Sequence, residues 1–137
     1  MATQQGSPAG NFRIAAGGTV GQYLLVKTTA WTAVVSAATS TDVPVGTVQP
    51  AIDGTYTSGT TLTVRDVKSG GTHKVIASGA ITKGANIFLA AGGKVSALPA
   101  GAGTYKRIGI AAEAASGNNS IIEAWLNPDG ATESVGS

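Results

Sequence analysis

The sequence contains no cysteine, and it has few aromatic residues, few charges and a single histidine. Without cysteine the chain can form no disulfide bond, no thiolate nucleophile and no cysteine-ligated zinc site. One histidine cannot supply a histidine-rich metal site either, so we expect no metal and no other cofactor. No apolar run approaches the roughly 18 residues of a membrane-spanning helix, and the N-terminus lacks the basic and apolar pattern of a signal peptide. We therefore expect synthesis in a cytoplasm and no membrane partner.

Charge is scarce and evenly spread. Charged residues make up 12% of the chain, and the formal net charge is +2. Lys106 and Arg107 are the only adjacent basic pair. A nucleic-acid-binding surface normally needs clustered basic side chains with aromatic or arginine side chains for stacking, so we predict no direct nucleic-acid partner. Low charge also removes repulsion between copies, which favours association.

Short β-like runs separated by turn residues dominate the 137-residue chain, which has 20 glycines. Their spacing predicts an all-β fold, a small single-domain barrel or sandwich. The alternation at 60–67 puts Leu62, Val64 and Asp66 on one face, and that at 72–77 does the same for His73, Val75 and Ala77. The segment 91–93 is predicted to be a hairpin turn with positive φ. The alanine-rich segment 111–115 allows at most one helical turn.

Two parts of the chain repeat each other at an offset of 63 residues. The segment 21–26 matches 84–89, and 45–48 matches 108–111, so that Gly21 corresponds to Gly84 and Gly46 to Gly109. Ala51 and Gly54 match Ala114 and Gly117 at the same offset. Two copies are too few for a solenoid, so the repeat predicts one unit of two related β-halves.

The predicted organisation has three parts. Residues 1–13 form a polar N-terminal arm, 14–127 form the β-domain, and 128–137 form a short tail. Within the β-domain the two halves are expected at about 17–66 and 80–126.

No set of residues forms a convincing catalytic site, and we predict that the chain is not an enzyme. His73 could act as a general base, with Asp66 as its partner across a hairpin, but no Gly-x-Ser-x-Gly nucleophile elbow is present. We favour a cross-strand polar pair. Glu113 is expected to be partly buried and to make a structural hydrogen bond or a subunit contact. The glycine-bounded segment 79–84 lacks the Lys-Ser/Thr of a phosphate loop and is predicted to be a turn.

The two tryptophans are the remaining candidates. Trp31 and Trp125 could each stack on a sugar ring. In a β-domain such residues are more often core residues or interface anchors, which is the interpretation that we favour.

Several segments together resemble a known family. They are 37–46, 76–84, 92–95, 108–115 and 121–126, and the most distinctive of them is Ile-Gly-Ile-Ala-Ala-Glu-Ala at 108–114. Their order is similar to that of the capsid decoration, or cement, proteins of tailed bacteriophages. The resemblance covers roughly residues 17–126.

The resemblance implies a non-enzymatic protein on the outer surface of an expanded phage head. Such a protein would bind the major capsid protein, associate with itself as a homotrimer, and staple neighbouring capsid subunits. We expect the arm to contribute contacts, with Phe12 and Arg13 as its anchors and Trp31 and Trp125 as further candidates. The alternative functions are a head-fibre base or a glycan-binding module for the host surface.

Overall fold

A computed structural model describes residues 11–16, 20–29, 33–36, 46–48, 55–67, 71–127 and 132–135. Nearly all of its regular structure is β, which confirms the predicted all-β class. The strands are β1 (Asn11–Ala16), β2 (Val20–Gly21), β3 (Leu25–Thr29), β4 (Ala33–Ser36), β5 (Gly46–Val48), β6 (Thr55–Tyr56), β7 (Thr61–Asp66), β8 (His73–Ile76), β9 (Asn86–Leu89), β10 (Val95–Ser96), β11 (Gly103–Ala111), β12 (Ile121–Leu126) and β13 (Thr132–Val135). A 3-10 turn spans Ala91–Gly93, where Gly92 and Gly93 have positive φ, as predicted for the β9–β10 hairpin.

The N-terminal strands close into a barrel, called here the first barrel, in the order β1-β4-β3-β5-β7. All neighbours run antiparallel except β1 and β4, which are parallel, with Ala16 opposite Val34. Inward positions such as Val26, Val48 and Val64 are fully buried. A closed ring leaves no unpaired sheet edge, so short strands suffice.

The C-terminal strands form a second sheet in the order β10-β9-β11-β12-β8. Its two ends meet in a parallel bridge between Ala77, just after β8, and Val95 on β10. This ring is called here the second barrel. His73, Val75 and Ala77 are all buried, which confirms the predicted shared face.

The two barrels have the same strand order and nearly the same registers. Phe12 lies opposite Val64 in the first barrel, and His73 lies opposite Ala124 in the second. The closing parallel contact between Ala16 and Val34 likewise corresponds to that between Ala77 and Val95. These pairs relate β1 to β8, β4 to β10 and β7 to β12. The chain therefore contains a duplicated barrel. The sequence repeat predicts two related β-halves of one unit, whereas each half closes a ring of its own.

The matching turns also share their hydrogen bonds. In the first barrel Gly59 N donates to Ala16 O at 2.7 Å, and in the second Asn119 N donates to Ala77 O at 2.7 Å. Gly59 and Asn119 both have positive φ. The duplication therefore includes backbone detail outside the strands.

One part of the predicted alignment is wrong. Gly46 and Gly109 are equivalent, since they lie opposite Asp66 and Leu126 on matching strands, but Gly21 does not match Gly84. Val48 O accepts from Tyr23 N, and Ala111 O accepts from Gly84 N, so Tyr23 is the equivalent of Gly84. Both have positive φ. The second copy has two more residues between Val95 and Gly109 than the first has between Val34 and Gly46, which changes the offset from 61 to 63.

The barrels pack against each other through the outside of the first. Leu25, on β3, points away from Val26 and the interior of its own barrel, and it belongs to the buried cluster of the second. Gly93 approaches the Leu24–Leu25 backbone so closely that a Cβ there would lie 3.2 Å from Leu24 Cβ. Lys74 Nζ lies 5.7 Å from the centre of the Tyr23 ring. The second barrel thus covers one face of the first.

Two predicted boundaries differ from the described strands. β1 starts at Asn11, so the last three residues of the predicted arm pair with β7, and residues 1–10 lie outside the described residues. Within the predicted tail, β13 pairs with β11 at 103–106. Ala51 and Gly54, matched in the sequence repeat, lie outside the described residues.

Candidate interaction surface

Three outward positions on neighbouring strands form one face of the first barrel. Leu25 on β3 lies opposite Thr47 on β5, which lies opposite Arg65 on β7. Leu25 is 0% exposed and Thr47 is 1% exposed, although both point out of their own barrel. Gly71 packs near the Arg65 guanidinium. A Cβ added to Gly71 would lie 3.3 Å from Arg65 Nη2. We call these three residues the covered face, because the second barrel and the segment leading into it lie against them.

The equivalent positions of the second barrel carry different residues and have a different environment. Asn86 on β9 lies opposite Ile110 on β11, which lies opposite Trp125 on β12. Ile110 is 40% exposed and Trp125 is 54% exposed. We call these three residues the open face. Neighbouring exposed large apolar side chains are characteristic of interaction sites, where tryptophan is enriched among the residues that dominate binding energy.

Polar contacts hold the edge of the open face in place. Asn86 Nδ2 donates to Glu133 Oε2 at 3.0 Å, which connects β9 to β13. The hydrogen bond fixes the orientation of the Asn86 amide beside Ile110. β13 therefore forms one border of the open face.

A second set of hydrogen bonds lies next to Trp125 on β12. Thr72 Oγ1 donates to Glu123 Oε1 at 2.9 Å, and Glu123 N donates to Glu113 Oε1 at 2.8 Å. The bond confirms the predicted structural role of Glu113, but the expectation that it is partly buried is wrong, since its side chain is exposed. These contacts stabilise the strand that carries Trp125.

His73 is buried and bonds to the first barrel. Its Nε2 lies 3.0 Å from the backbone carbonyl oxygen of Asp66. Burial lowers the pKa of His73 below its ordinary value of 6.5, the bond to Asp66 opposes that shift, the Arg65 charge adds to it, and the Asp66 charge opposes it. His73 contacts its predicted partner, Asp66, through the backbone carbonyl. The predicted hairpin between them is wrong, because β7 and β8 belong to different barrels and do not pair. The hydrogen bond of His73 therefore joins β8 of the second barrel to the end of β7 in the first barrel.

The structure places the four predicted contact residues in different settings. Trp125 lies on the open face. Phe12 and Arg13 lie on β1, opposite Val64 and Thr63, so their backbones are part of the first barrel. Trp31 lies outside the described residues. The sequence interpretation missed Ile110, although the alternation of Ile108, Ile110 and their neighbours along β11 could have indicated an outward isoleucine.

Within the described part of the chain, no group of three or more His, Cys, Asp or Glu side chains could hold a metal ion. None of the helical segments among these residues is long and apolar enough to cross a membrane.

Comparison with known proteins shows a similarity in fold to a solved structure. No family model matches the chain, and no curated protein matches it. Among solved structures it resembles the head fiber gp8.5 N base of bacteriophage phi29, with a TM-score of 0.66 and 18% sequence identity. The alignment covers 88% of this chain and 96% of that chain. At this identity the likeness shows a shared fold.

Proposed function

We propose that this chain is a structural protein of a tailed-phage virion, located on the outer surface of the head. The observation that carries the proposal is the fold shared with the phi29 head fiber base over 88% of this chain and 96% of that one. Such complete coverage means that the duplicated architecture is matched as a whole. The resemblance of 108–114 and the accompanying segments to phage decoration proteins supports the same location.

Within this role, the base of a head fibre is the first candidate. It is favoured by the fold shared with the phi29 head fiber base. In this function the chain binds the major capsid protein and presents further structure outward. Residues 1–13, with Phe12 and Arg13 on β1 as anchors, are the proposed contacts with the capsid or with a neighbouring subunit, because an N-terminal arm can add contacts on another chain.

The second candidate is a cement protein that staples neighbouring capsid subunits. The segments 37–46 and 108–115, which resemble decoration proteins, favour it. Hundreds of weak contacts on one head would add up to a large stabilisation through multivalency. Both candidates place the protein on the same surface and differ in whether the head needs it for strength.

Binding to heads tests the shared part of the proposal. Purified protein is added to expanded heads that lack it, and occupancy is measured by sedimentation and by a map of the decorated head. We expect saturable binding at regular positions on the outer surface. A chain without residues 1–10, which keeps β1 whole, should bind more weakly. Absence of binding to heads from its own phage would contradict the virion-surface role.

Heat separates the two candidates. Heads with and without the bound protein are warmed, and DNA release is followed with an intercalating dye. A cement protein raises the release temperature, whereas a fibre base leaves it unchanged. A glycan array with Trp125→Ala as the matched control tests the host-surface alternative, since sugar stacking on Trp125 would be lost in that variant.

A further inference from the structure

We infer that the open face, formed by Asn86, Ile110 and Trp125, binds the first barrel of a second copy of this chain. The contact would repeat between chains the packing that already joins the two barrels within one chain. This inference comes from the duplication and does not rest on the virion role.

The first step is the equivalence of the two faces. Leu25, Thr47 and Arg65 of the covered face occupy the same register positions as Asn86, Ile110 and Trp125. In the first barrel that position is occupied by another barrel, and Leu25 and Thr47 are buried there. In the second barrel Ile110 and Trp125 are exposed to solvent, and Asn86 is half-buried beside them.

The second step is the chemistry of the open face. Ile110 holds the position of Thr47, and Trp125 holds that of Arg65. Both residues of the open face are more apolar than their counterparts. About half of the Trp125 surface is in water, with Ile110 beside it. Burial of two such side chains contributes about 25 cal/mol for each Å² removed from water, which favours a protein partner.

The third step identifies the partner surface. Within the chain, the covered face meets the start of β8, the segment before it and the turn Ala91–Gly93. Those elements of the second barrel are already in use. In the first barrel β1 is the equivalent of β8, and it pairs with β4 and β7. The partner surface is therefore β1 of a second copy.

The equivalence also predicts individual neighbours across the interface. Lys74 lies over Tyr23 within the chain. Arg13 holds the β1 position that corresponds to Lys74 on β8, and Gly84 corresponds to Tyr23. Arg13 of one copy is therefore expected next to Gly84 of the next copy.

A contact of this kind is head-to-tail, because it joins different surfaces of the two copies. Such contacts form closed rings or open filaments and never a two-fold dimer built on one patch. The homotrimer implied by the resemblance to decoration proteins would be a closed ring of this type.

The first experiment measures mass in solution, in the absence of heads, for the wild type and for Trp125→Glu and Ile110→Lys. We expect the wild type to form oligomers and each variant to raise the dissociation constant about tenfold or more, as for the central residues of an interface. Leu98→Lys is the control, since Leu98 is exposed outside the barrel strands. Circular dichroism shows that each variant is folded. A monomeric wild type at about 100 µM, or unchanged association of both folded variants, would overturn the inference.

The second experiment uses the absence of cysteine in the chain. Two single-cysteine variants are made, Arg13→Cys and Lys83→Cys, the latter at an exposed residue beside Gly84. A short bifunctional maleimide should link the two variants when they are mixed and should link neither variant to itself. Mixing Arg13→Cys with Leu98→Cys is the matched control.

The pattern of cross-links decides the geometry. Efficient linkage only in the Arg13–Lys83 mixture supports the head-to-tail contact. Efficient linkage of Lys83→Cys to itself would overturn it in favour of a two-fold dimer. Loss of head binding in Trp125→Glu with unchanged self-association would overturn it too, and would assign the open face to the capsid. Self-association without head binding would contradict the proposed function alone.

Discussion

Gly46 and Gly109 occupy the same place in the two barrels, and neither position has room for a side chain. A Cβ on Gly46 would overlap the backbone carbonyl oxygen of Arg65, and one on Gly109 would overlap that of Trp125. Gly46 lies on β5 and Gly109 on the equivalent strand β11, where the neighbouring strand approaches closely. The requirement is backbone contact, and it explains why glycine recurs at both positions.

Alanine at either glycine should therefore destabilise the fold. We expect Gly46→Ala and Gly109→Ala each to lower the free energy of unfolding by about 1–3 kcal/mol, because the strands must separate to admit the methyl group. Urea unfolding measures the change. Gly117→Ala is the control, since no atom lies within 4 Å of its added Cβ, and it should change stability by less than about 0.5 kcal/mol. Equal effects in all three variants would contradict the explanation.

The turn before β9 tests a different property of glycine. Gly84 has φ 86°, and no atom lies within 4 Å of an added Cβ. We expect Gly84→Ala to destabilise by about 1–2 kcal/mol, because an L-residue is disfavoured in the left-handed region. Gly79→Ala has equally open surroundings without positive φ, so it should be neutral or stabilise by up to about 1 kcal/mol. Thermal unfolding of both variants makes the comparison, and a neutral Gly84→Ala would be inconsistent with the described turn.

His73 predicts a pH dependence of stability. Burial lowers the pKa of His73 in the folded chain below its ordinary value of 6.5. The unfolded chain then binds a proton at a higher pH than the folded chain does, so stability is full above 6.5 and falls as the pH drops below it. We expect His73→Phe, which copies Phe12 at the equivalent position, to reduce this loss. Urea unfolding of the wild type and of His73→Phe at about pH 8 and about pH 5.5 gives the slope of unfolding free energy against pH for each protein. Identical slopes would show that His73 does not titrate in this way.

Two isoleucines give a matched test of burial. Ile87 is fully buried in the second barrel, whereas Ile121 on β12 is 52% exposed. We expect Ile87→Ala to destabilise by about 2–5 kcal/mol, since it leaves a cavity, and Ile121→Ala by less than about 0.5 kcal/mol. Chemical denaturation measures both. A large effect at Ile121 would mean that a partner or another element covers that residue.

Leu25 should couple the barrels to each other. It lies on a strand of the first barrel but packs in the core of the second. In Leu25→Ala we expect a loss of about 2–5 kcal/mol and separation of two unfolding transitions, one for each barrel. In a Trp31→Phe background, Trp125 fluorescence follows the second barrel, while circular dichroism follows both. Val26→Ala, inside the first barrel, is the control and should keep the two signals closer together. Coincident transitions in Leu25→Ala would show that other contacts carry the coupling.

The β class and the duplication could be predicted from the sequence because alternation and glycine recur in both halves. Gly46 and Gly109 revealed the repeat directly, since the same backbone contact selects glycine twice. Tyr23 and Gly84 obscured the repeat, because the same turn position with positive φ has a tyrosine in the first copy and a glycine in the second. The two additional residues of the second copy change the offset from 61 to 63, so matching identical residues at a single offset paired Gly84 with Gly21 instead of Tyr23.

The open face was only half predictable for a physical reason. Trp125 is conspicuous as one of two tryptophans, but its neighbour Ile110 looks like any strand isoleucine until the cross-strand register is known. The covered face was not predictable at all. Nothing local distinguishes Leu25, which packs outside its own barrel, from Val26, which packs inside it. Only the packing of one barrel on the other separates those roles.

The duplicated barrel also provides an alignment of two related sequences within one chain. Positions that keep one residue in both copies, such as Gly46 with Gly109 and Ala16 with Ala77, report what the backbone demands wherever this barrel is built. Positions that have diverged at equal register report what each surface has been selected to do. The covered and open faces differ at every position. Comparison of the two barrels thus separates residues that were selected for contact from residues that were selected for folding.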